Sequence, residues 1–357
     1  MAIFSNPRRS ALPAYAWLTA LATLGLIALG GLVTSHGAGM AVPDWPTTYG
    51  YNMFLFPVSQ WVGGVFYEHT HRLYASGIGL LTVVLAVWIQ IRARGEVRGL
   101  TRLGWIAVVL VVVQGVLGGL RVSLMKDQIG VLHAALAQAF LVLLVLIAVF
   151  LSPGWKRWVH EAPVVEQGVA RWVWVATGMI FLQLVLGAAM RHQHAGLAVP
   201  DFPMAYGELW PPTDEAFLQG VNALRTDTRD FHPITSGHVH LHMAHRLFGV
   251  ATALVVVFAW LGVRRAFGAG SFPGRLGTLW MVLIGIQIGL GASTVWTNKA
   301  ADVATLHVVV GALCLGVAAW SAALSRVAAG RTRVEATGWV RPGLTTSGDR
   351  ARIASAA

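Results

Sequence analysis

The chain has 357 residues, of which 56% are hydrophobic and only 11% carry a charge, against about 25% in a typical soluble domain. Apolar stretches of roughly 20 residues recur along the whole length, which indicates helices that cross a membrane. The net charge of +11 does not indicate a nucleic-acid-binding protein, because the basic residues fall in short loops between apolar stretches. With the single cysteine Cys314, the chain can form neither an intrachain disulfide nor a thiolate metal cluster.

Eight apolar stretches predict an all-α integral membrane protein with eight transmembrane helices. They cover residues 14–33, 66–91, 104–121, 130–151, 171–190, 240–263, 277–296 and 304–325. Lys and Arg decide the orientation, because 18 of the 26 lie before the first stretch, after the second, fourth and sixth, or in the tail. The positive-inside rule therefore predicts cytoplasmic N- and C-termini, with the long loops at 37–65 and 191–239 outside.

The two halves of the sequence repeat each other. The segment AVPDWP at 41–46 returns as AVPDFP at 198–203, and HRLY at 71–74 returns as HRLF at 245–248. Each half has four spans and so one topology, which predicts two pseudo-symmetric four-helix bundles in a parallel internal repeat, related by an axis along the membrane normal. The predicted division is an N-terminus at 1–13, bundles at 14–151 and 171–325, a cytoplasmic linker at 152–170 and a disordered cytoplasmic tail at 326–357.

Each half carries two histidines at one spacing. His71 and His133 are 62 residues apart, and His245 and His307 repeat that separation. All four lie a few residues inside spans that run in the same direction, so each pair is expected at one depth toward the outer, periplasmic side. Two facing histidines in a helical bundle suit haem iron held from both faces, whereas zinc or copper usually takes three or four protein donors.

Three charged residues stand beside these histidines. Arg72 and Arg246 are each expected either to bind a haem propionate or to reach toward the headgroups. Arg72 can also pair with Glu68, four residues earlier. Glu68 is the only acidic residue predicted within a span, and His242 takes its place in the second half. We interpret Glu68 as a proton-handling catalytic residue or as the structural partner of Arg72.

The outer loops add two features. The repeated Pro-Asp-aromatic-Pro segments are expected to form turns that pack as lids over the bundle mouths. No role is predicted for six further histidines, whose spacing the halves do not share: His36, His192, His194, His232, His238 and His240.

This ordered set of motifs resembles the haem A synthase family, in its bacterial, cysteine-lacking type. The resemblance covers nearly the whole chain, from GGLVT at 30–34 through the PDWP loop at 43–46 and Glu68-x-x-His71-Arg72 to His307. It implies two haem-binding four-helix bundles in the bacterial cytoplasmic membrane. It also implies the oxidation of a methyl group of haem O to the formyl group of haem A, through hydroxylated intermediates.

The resemblance also assigns residues and partners. It implies one haem-binding set per half: His71, His133 and Arg72 for the substrate haem O, and His245, His307 and Arg246 for a permanently bound haem b. Glu68 would be the acidic catalytic residue, and haem b would pass electrons. The implied partners are haem O synthase, cytochrome oxidase assembly factors and an electron donor that the sequence does not identify, and a homo-oligomer stays open.

Two other functions fit parts of the sequence. One is a di-haem electron-transfer protein of the cytochrome b type, with two permanent bis-histidine haems, no substrate and a dispensable Glu68. The other is a parallel-repeat transporter that uses the histidines as a proton relay. A transporter needs a polar pathway through the bilayer, whereas the four paired histidines all lie toward one side.

Overall fold

The structure is a computed structural model that describes residues 11–95, 97, 99–225 and 232–336. Within these ranges the chain is all-helical, without β-strands. The helices long and apolar enough to cross a membrane are α1 (Leu12–Ser35), α2 (Gly63–Arg92), α3 (Leu100–Ser123), α4 (Asp127–Leu151), α6 (Gln167–His192), α8 (Ser236–Phe267), α9 (Phe272–Trp296) and α10 (Ala301–Ala336). The prediction of eight transmembrane helices is confirmed, since each helix overlaps one predicted stretch.

Two shorter helices occupy segments that the sequence analysis treats as loops. Helix α5 (Pro153–Glu161) lies in the predicted linker, and its first turn is capped by the Ser152 hydroxyl, which accepts the backbone N–H of Trp155. Helix α7 (Glu215–Leu224) is capped in the same way by the Asp214 carboxylate. Both are too short for the search for apolar stretches of about 20 residues to find them.

The last helix corrects one predicted boundary. Helix α10 runs to Ala336, so the first part of the tail predicted as disordered from 326 is helical. Ala328 and Ala329 explain the extension, because they are buried against Ala162 and Val165 after α5 and alanine is the best helix former. The rest of the predicted tail, residues 337–357, lies outside the described residues, as do residues 1–10.

The spans pack in two closed circuits. In the first half α1 contacts α2, α2 contacts α3, α3 contacts α4, and α4 returns to α1. In the second half α6, α8, α9 and α10 follow the same order, and α10 returns to α6. The circuits meet where α1 contacts α10 and where α4 contacts both α6 and α10. The pseudo-symmetry axis between the halves stays a prediction.

Apolar side chains fill the inside of each circuit and also cover its outside. Leu85 and Leu144 are buried in the first half, and Val256 and Trp280 in the second. Large apolar side chains such as Leu254 are exposed along the outer faces of the spans. Exposed apolar surface of this extent is what a lipid environment covers, and it agrees with a multi-pass membrane protein.

Candidate functional site

Each of the four paired histidines lies against a glycine of a neighbouring helix. If Gly187 of α6 carried a Cβ atom, that atom would lie 3.2 Å from Cε1 of His245 on α8. The same distances are 3.2 Å for Gly30 and His71, 3.4 Å for Gly118 and His133, and 3.2 Å for Gly291 and His307. We call these four positions the notch glycines. They let the neighbouring helix approach the edge of each imidazole, a contact that a larger side chain would disturb.

The histidines of each half occupy opposite corners of their helix circuit. Helices α2 and α4, which carry His71 and His133, each contact α1 and α3 and so stand diagonally across the first bundle. Helices α8 and α10, with His245 and His307, stand diagonally across the second. The centre between diagonal helices is where helical bundles hold cofactors. That the two histidines of each half hold one haem between them stays a prediction.

Three of the four imidazoles are not satisfied by the protein alone. Nδ1 of His71, His133 and His307 is buried and has no hydrogen-bond partner within the part of the chain that the structure describes. An unsatisfied buried polar atom costs about 1–3 kcal/mol, so such atoms mark sites that a ligand or ordered water completes. Among the described residues, no three His, Cys, Asp or Glu side chains come together to hold a bare metal ion. Two imidazoles per bundle fit haem iron, which takes its other four ligands from the porphyrin.

Glu68 is buried near the start of α2, with 4% of its surface exposed. Its Oε1 accepts a hydrogen bond from Nη2 of Arg72 at 2.6 Å, and its Oε2 accepts the backbone N–H of Val42 at 2.9 Å. The structural partnership with Arg72, named above as the alternative to catalysis, is therefore present. The catalytic role of Glu68 stays a prediction, and the ion pair keeps its carboxylate one helical turn from His71.

The loop that precedes α2 is held by Arg72. Nη1 donates to the carbonyl oxygens of Asp44 at 2.7 Å and Thr47 at 3.1 Å, and Nη2 donates to that of Val42 at 2.8 Å. Three carbonyls and a carboxylate thus surround one guanidinium, which compensates its burial. The predicted contact of Arg72 with a haem propionate stays a prediction.

Arg246 holds the loop of the second half through the corresponding atoms. Nη1 donates to the carbonyl of Met204 at 2.9 Å, and Nη2 donates to those of Asp201 at 2.7 Å and Val199 at 3.4 Å. His242 is buried in the place of Glu68. Because position 242 carries no carboxylate, the second half has no counterpart of the Glu68–Arg72 ion pair. The contact of Arg246 with a propionate also stays a prediction.

Each of the two loops held by Arg72 and Arg246 is folded around an aspartate. Asp44 accepts the hydroxyl of Thr47 and the backbone N–H groups of Tyr49 and Gly50, and Asp201 accepts the equivalent backbone groups in the second loop. Partial burial raises the pKa of Asp44, but the three hydrogen bonds outweigh it and hold that pKa below its usual value. The Asp44 carboxylate therefore stays charged at neutral pH and fixes the predicted turn. The packing of these turns as lids stays a prediction.

Two basic residues at helix ends have partners in the protein. Arg121 and Arg191 stand in the last turns of α3 and α6. Arg121 pairs with Asp127 at 3.2 Å.

Arg191 joins the two halves. Its Nη2 donates to the carbonyl of Gly31 at 2.6 Å and to the hydroxyl of Ser35, both on α1. Its Nη1 donates to the carbonyl of Ala304 on α10 at 3.5 Å. The sequence pattern gives no sign of this role, because the partners of Arg191 are mainly backbone atoms distant in sequence.

Three of the histidines ascribed to outer loops lie on helices. His192 is the last residue of α6, and its ring fills the space above Gly130 of α4. His238 and His240 stand in the first turns of α8. His36 follows α1 and stacks on Tyr67, with 4.1 Å between ring centroids. These contacts are packing and capping contacts.

Taken together, the fold and the site define a class of protein: a multi-pass helical membrane protein with a pair of histidines on the diagonal helices of each half. A family model described as cytochrome oxidase assembly protein, COX15-CtaA, matches residues 13–319. The chain therefore belongs to the COX15-CtaA family, and its resemblance to the haem A synthase family is confirmed.

Curated relatives are similar to this chain over most of their lengths. The chain is 24% identical to the haem A synthase of Alkalihalophilus pseudofirmus, over 83% of this chain and 91% of the relative. It is 27% identical to the haem A synthase of Shouchella clausii, over 79% and 86% respectively. It is 26% identical to that of Nitrosomonas eutropha, over 89% and 95%. The similarity is thus spread across both halves.

Proposed function

We propose that this chain is a haem A synthase, an oxidoreductase that converts the methyl group of haem O into the formyl group of haem A. The observation that carries the proposal is the pair of histidine sites, alike in their notch glycines but different at one acidic residue. The names of the relatives support the same activity. In net terms, conversion of a methyl group to a formyl group removes two hydrogen atoms and adds one oxygen atom, which is a four-electron oxidation. Hydroxylated forms of the methyl group are the intermediates.

The two halves divide this work. His71 and His133 hold the substrate haem O, and His245 and His307 hold a permanent haem b. A bound haem b supplies an iron centre that accepts and passes on single electrons. Glu68, one turn from His71, accepts protons released by the substrate, and the ion pair with Arg72 keeps it in place. A buried carboxylate with a fixed partner suits proton transfer beside a reacting group.

The orientation and the partners belong to the proposal as well. Arg92, Arg264 and Arg326 lie toward the helix ends opposite the histidines, and by the positive-inside rule they support a cytoplasmic location for those ends. Both termini are then cytoplasmic and the haem sites face the periplasm. Haem O synthase, which supplies the substrate, and cytochrome oxidase assembly factors, which use the product, are the proposed partners.

One observation favours the di-haem electron-transfer protein as a second candidate. Both oxygens of Glu68 already accept hydrogen bonds, so this residue has a structural role in either function. An electron-transfer protein would keep two haems b at fixed stoichiometry and would need Glu68 only for stability.

The experiment that separates the two candidates compares position 68 with its counterpart at 242. The chain is expressed with a supply of haem O, and the extracted haems are separated by chromatography. We expect haem A from the unchanged protein, a loss of about 100-fold or more in Glu68→Gln, and most of the haem A retained in His242→Gln. No haem A from the unchanged protein, with equal haem b in both halves, would favour the electron-transfer protein.

A further inference from the structure

We propose that three glutamines position three of the four haem-binding histidines, and that His71 is the exchangeable ligand because a leucine replaces the glutamine beside it. The inference rests on the proposed function, since it concerns how firmly each half holds its haem. The glutamines are Gln114, Gln183 and Gln287, and Leu26 stands in the fourth place.

The four positions are equivalent in the repeat. Each glutamine precedes a notch glycine by four residues, which is about one helical turn, so glutamine and glycine share one helix face. The pairs are Gln114 with Gly118, Gln183 with Gly187, and Gln287 with Gly291. In the first helix the same spacing joins Leu26 to Gly30. Each ligand histidine thus meets a glycine on its neighbour, but only three meet an amide as well.

The amides contact the histidines directly. Nε2 of Gln183 donates to the backbone carbonyl of His245 at 2.9 Å, and it lies 3.2 Å from Nδ1 and 3.3 Å from Nε2 of the same imidazole. Nε2 of Gln287 lies 3.4 Å from Nε2 of His307. These contacts restrict the rotation of both second-half rings, because a turned ring would meet the amide.

Among the described residues of the first half, one glutamine contacts a haem-binding histidine, and it contacts the backbone rather than the ring. Nε2 of Gln114 donates to the backbone carbonyl of His133 at 3.1 Å. The side chain of Leu26 has neither donor nor acceptor, so it offers His71 no hydrogen bond.

A second set of glycines supports a gradation in how firmly the four histidines are held. Gly249 and Gly311 follow the second-half histidines by four residues, and a Cβ atom at either would lie 3.1 Å from a glutamine Nε2. The first half has Ala75 and Ala137 in these places. Both second-half histidines therefore have a glutamine and a second glycine, His133 has a glutamine alone, and His71 has neither.

The glutamine oxygens are available to a ligand or an ordered water. Oε1 of all three glutamines is buried without a hydrogen-bond partner in the described ranges of the chain, as is Oε1 of Gln138 on α4. The three differ from Gln138 in that their amides contact the histidines. An amide oxygen can accept an imidazole N–H directly or through a water, and a metal-bound histidine uses such an acceptor on its second nitrogen. The histidines and these oxygens thus form a polar set that a bound metalloporphyrin and its ordered water complete.

The gradation matches two different uses of haem. A permanent cofactor is best held by rings that cannot turn, whereas a substrate must enter and its product must leave. Because removal of an outer partner of a metal ligand typically costs 10–100-fold in affinity, the missing amide at His71 weakens one ligand of the substrate haem by a similar factor.

The test measures haem release from the purified full-length protein to apomyoglobin, together with the electron paramagnetic resonance spectrum of the oxidised protein. We expect Gln183→Leu and Gln287→Leu to release haem b about tenfold faster and to shift its low-spin g values. Gln138→Leu, a change of a buried glutamine on α4 that precedes no notch glycine, serves as the control and should alter neither. Release rates and g values equal to those of the control would overturn the proposal.

A reverse variant keeps the test decisive if the glutamine variants do not fold. Leu26→Gln combined with Ala75→Gly introduces the missing amide and its space, and it should slow the release of first-half haem about tenfold. An unchanged release rate would overturn the proposal. Failure of this inference differs from failure of the proposed function, since the latter is tested by haem A formation in the unchanged protein.

Discussion

His245→Ala is expected to lose haem b, whereas His71→Ala is expected to keep haem b and lose haem A formation. His245 lies in the half where His242 takes the place of the acidic residue, and His71 lies one turn from Glu68. Removal of an axial ligand should cost about 100-fold or more in haem affinity, since loss of even an outer partner costs 10–100-fold.

The measurement for these two variants is haem extraction with chromatography, supported by a reduced-minus-oxidised spectrum. His240→Ala, at an exposed position on the same helix as His245, is the control and should retain both haem b and haem A formation. If His71→Ala loses haem b while His245→Ala retains it, the assignment of the two halves is reversed. If both variants retain all haem and all activity, His71 and His245 are not ligands.

Gly291→Val is expected to reduce haem content strongly. The change removes no charge and no hydrogen bond, so its effect is purely steric. A Cβ atom at this position would lie 3.2 Å from Cε1 of His307, so the branched side chain displaces the ring. Overpacking of this kind typically costs about 1–3 kcal/mol, which corresponds to roughly 5- to 150-fold in affinity.

Gly289→Val is the matched control, because it lies two residues earlier on α9 and has open space around its Cβ position. Both variants carry the same cost of valine in a helix, so the difference in haem content isolates the contact with His307. Equal haem content in the two variants would mean that the notch glycine does not position the ligand.

The spans were predictable from the sequence, and their ends were not. A run of roughly 20 apolar residues has one stable form in a bilayer, so all eight helices follow from composition. Where a helix ends depends on local partners. Arg191 stays helical because α1 and α10 supply carbonyl and hydroxyl groups, and Ala328 stays helical because residues after α5 bury it.

The site was predictable where the side chain itself carries the chemistry. The 62-residue spacing identifies the histidines, and the Glu68–Arg72 pair follows from their separation of four residues. The notch glycines could not be chosen among 40 glycines, because their role depends on a neighbouring helix. The partners of Arg246 are backbone carbonyls, which every residue has and no motif reveals. The QxxxG spacing is the signal that could have identified three of the four glycines.

The measurement that tests the central claim most directly is the electron paramagnetic resonance spectrum of the oxidised, haem-loaded protein and its four histidine-to-alanine variants. If each half holds one haem between its two histidines, the unchanged protein gives two low-spin ferric signals. One signal should disappear in both His71→Ala and His133→Ala, and the other in both His245→Ala and His307→Ala. A low-spin signal that survives both changes within one half would contradict the account.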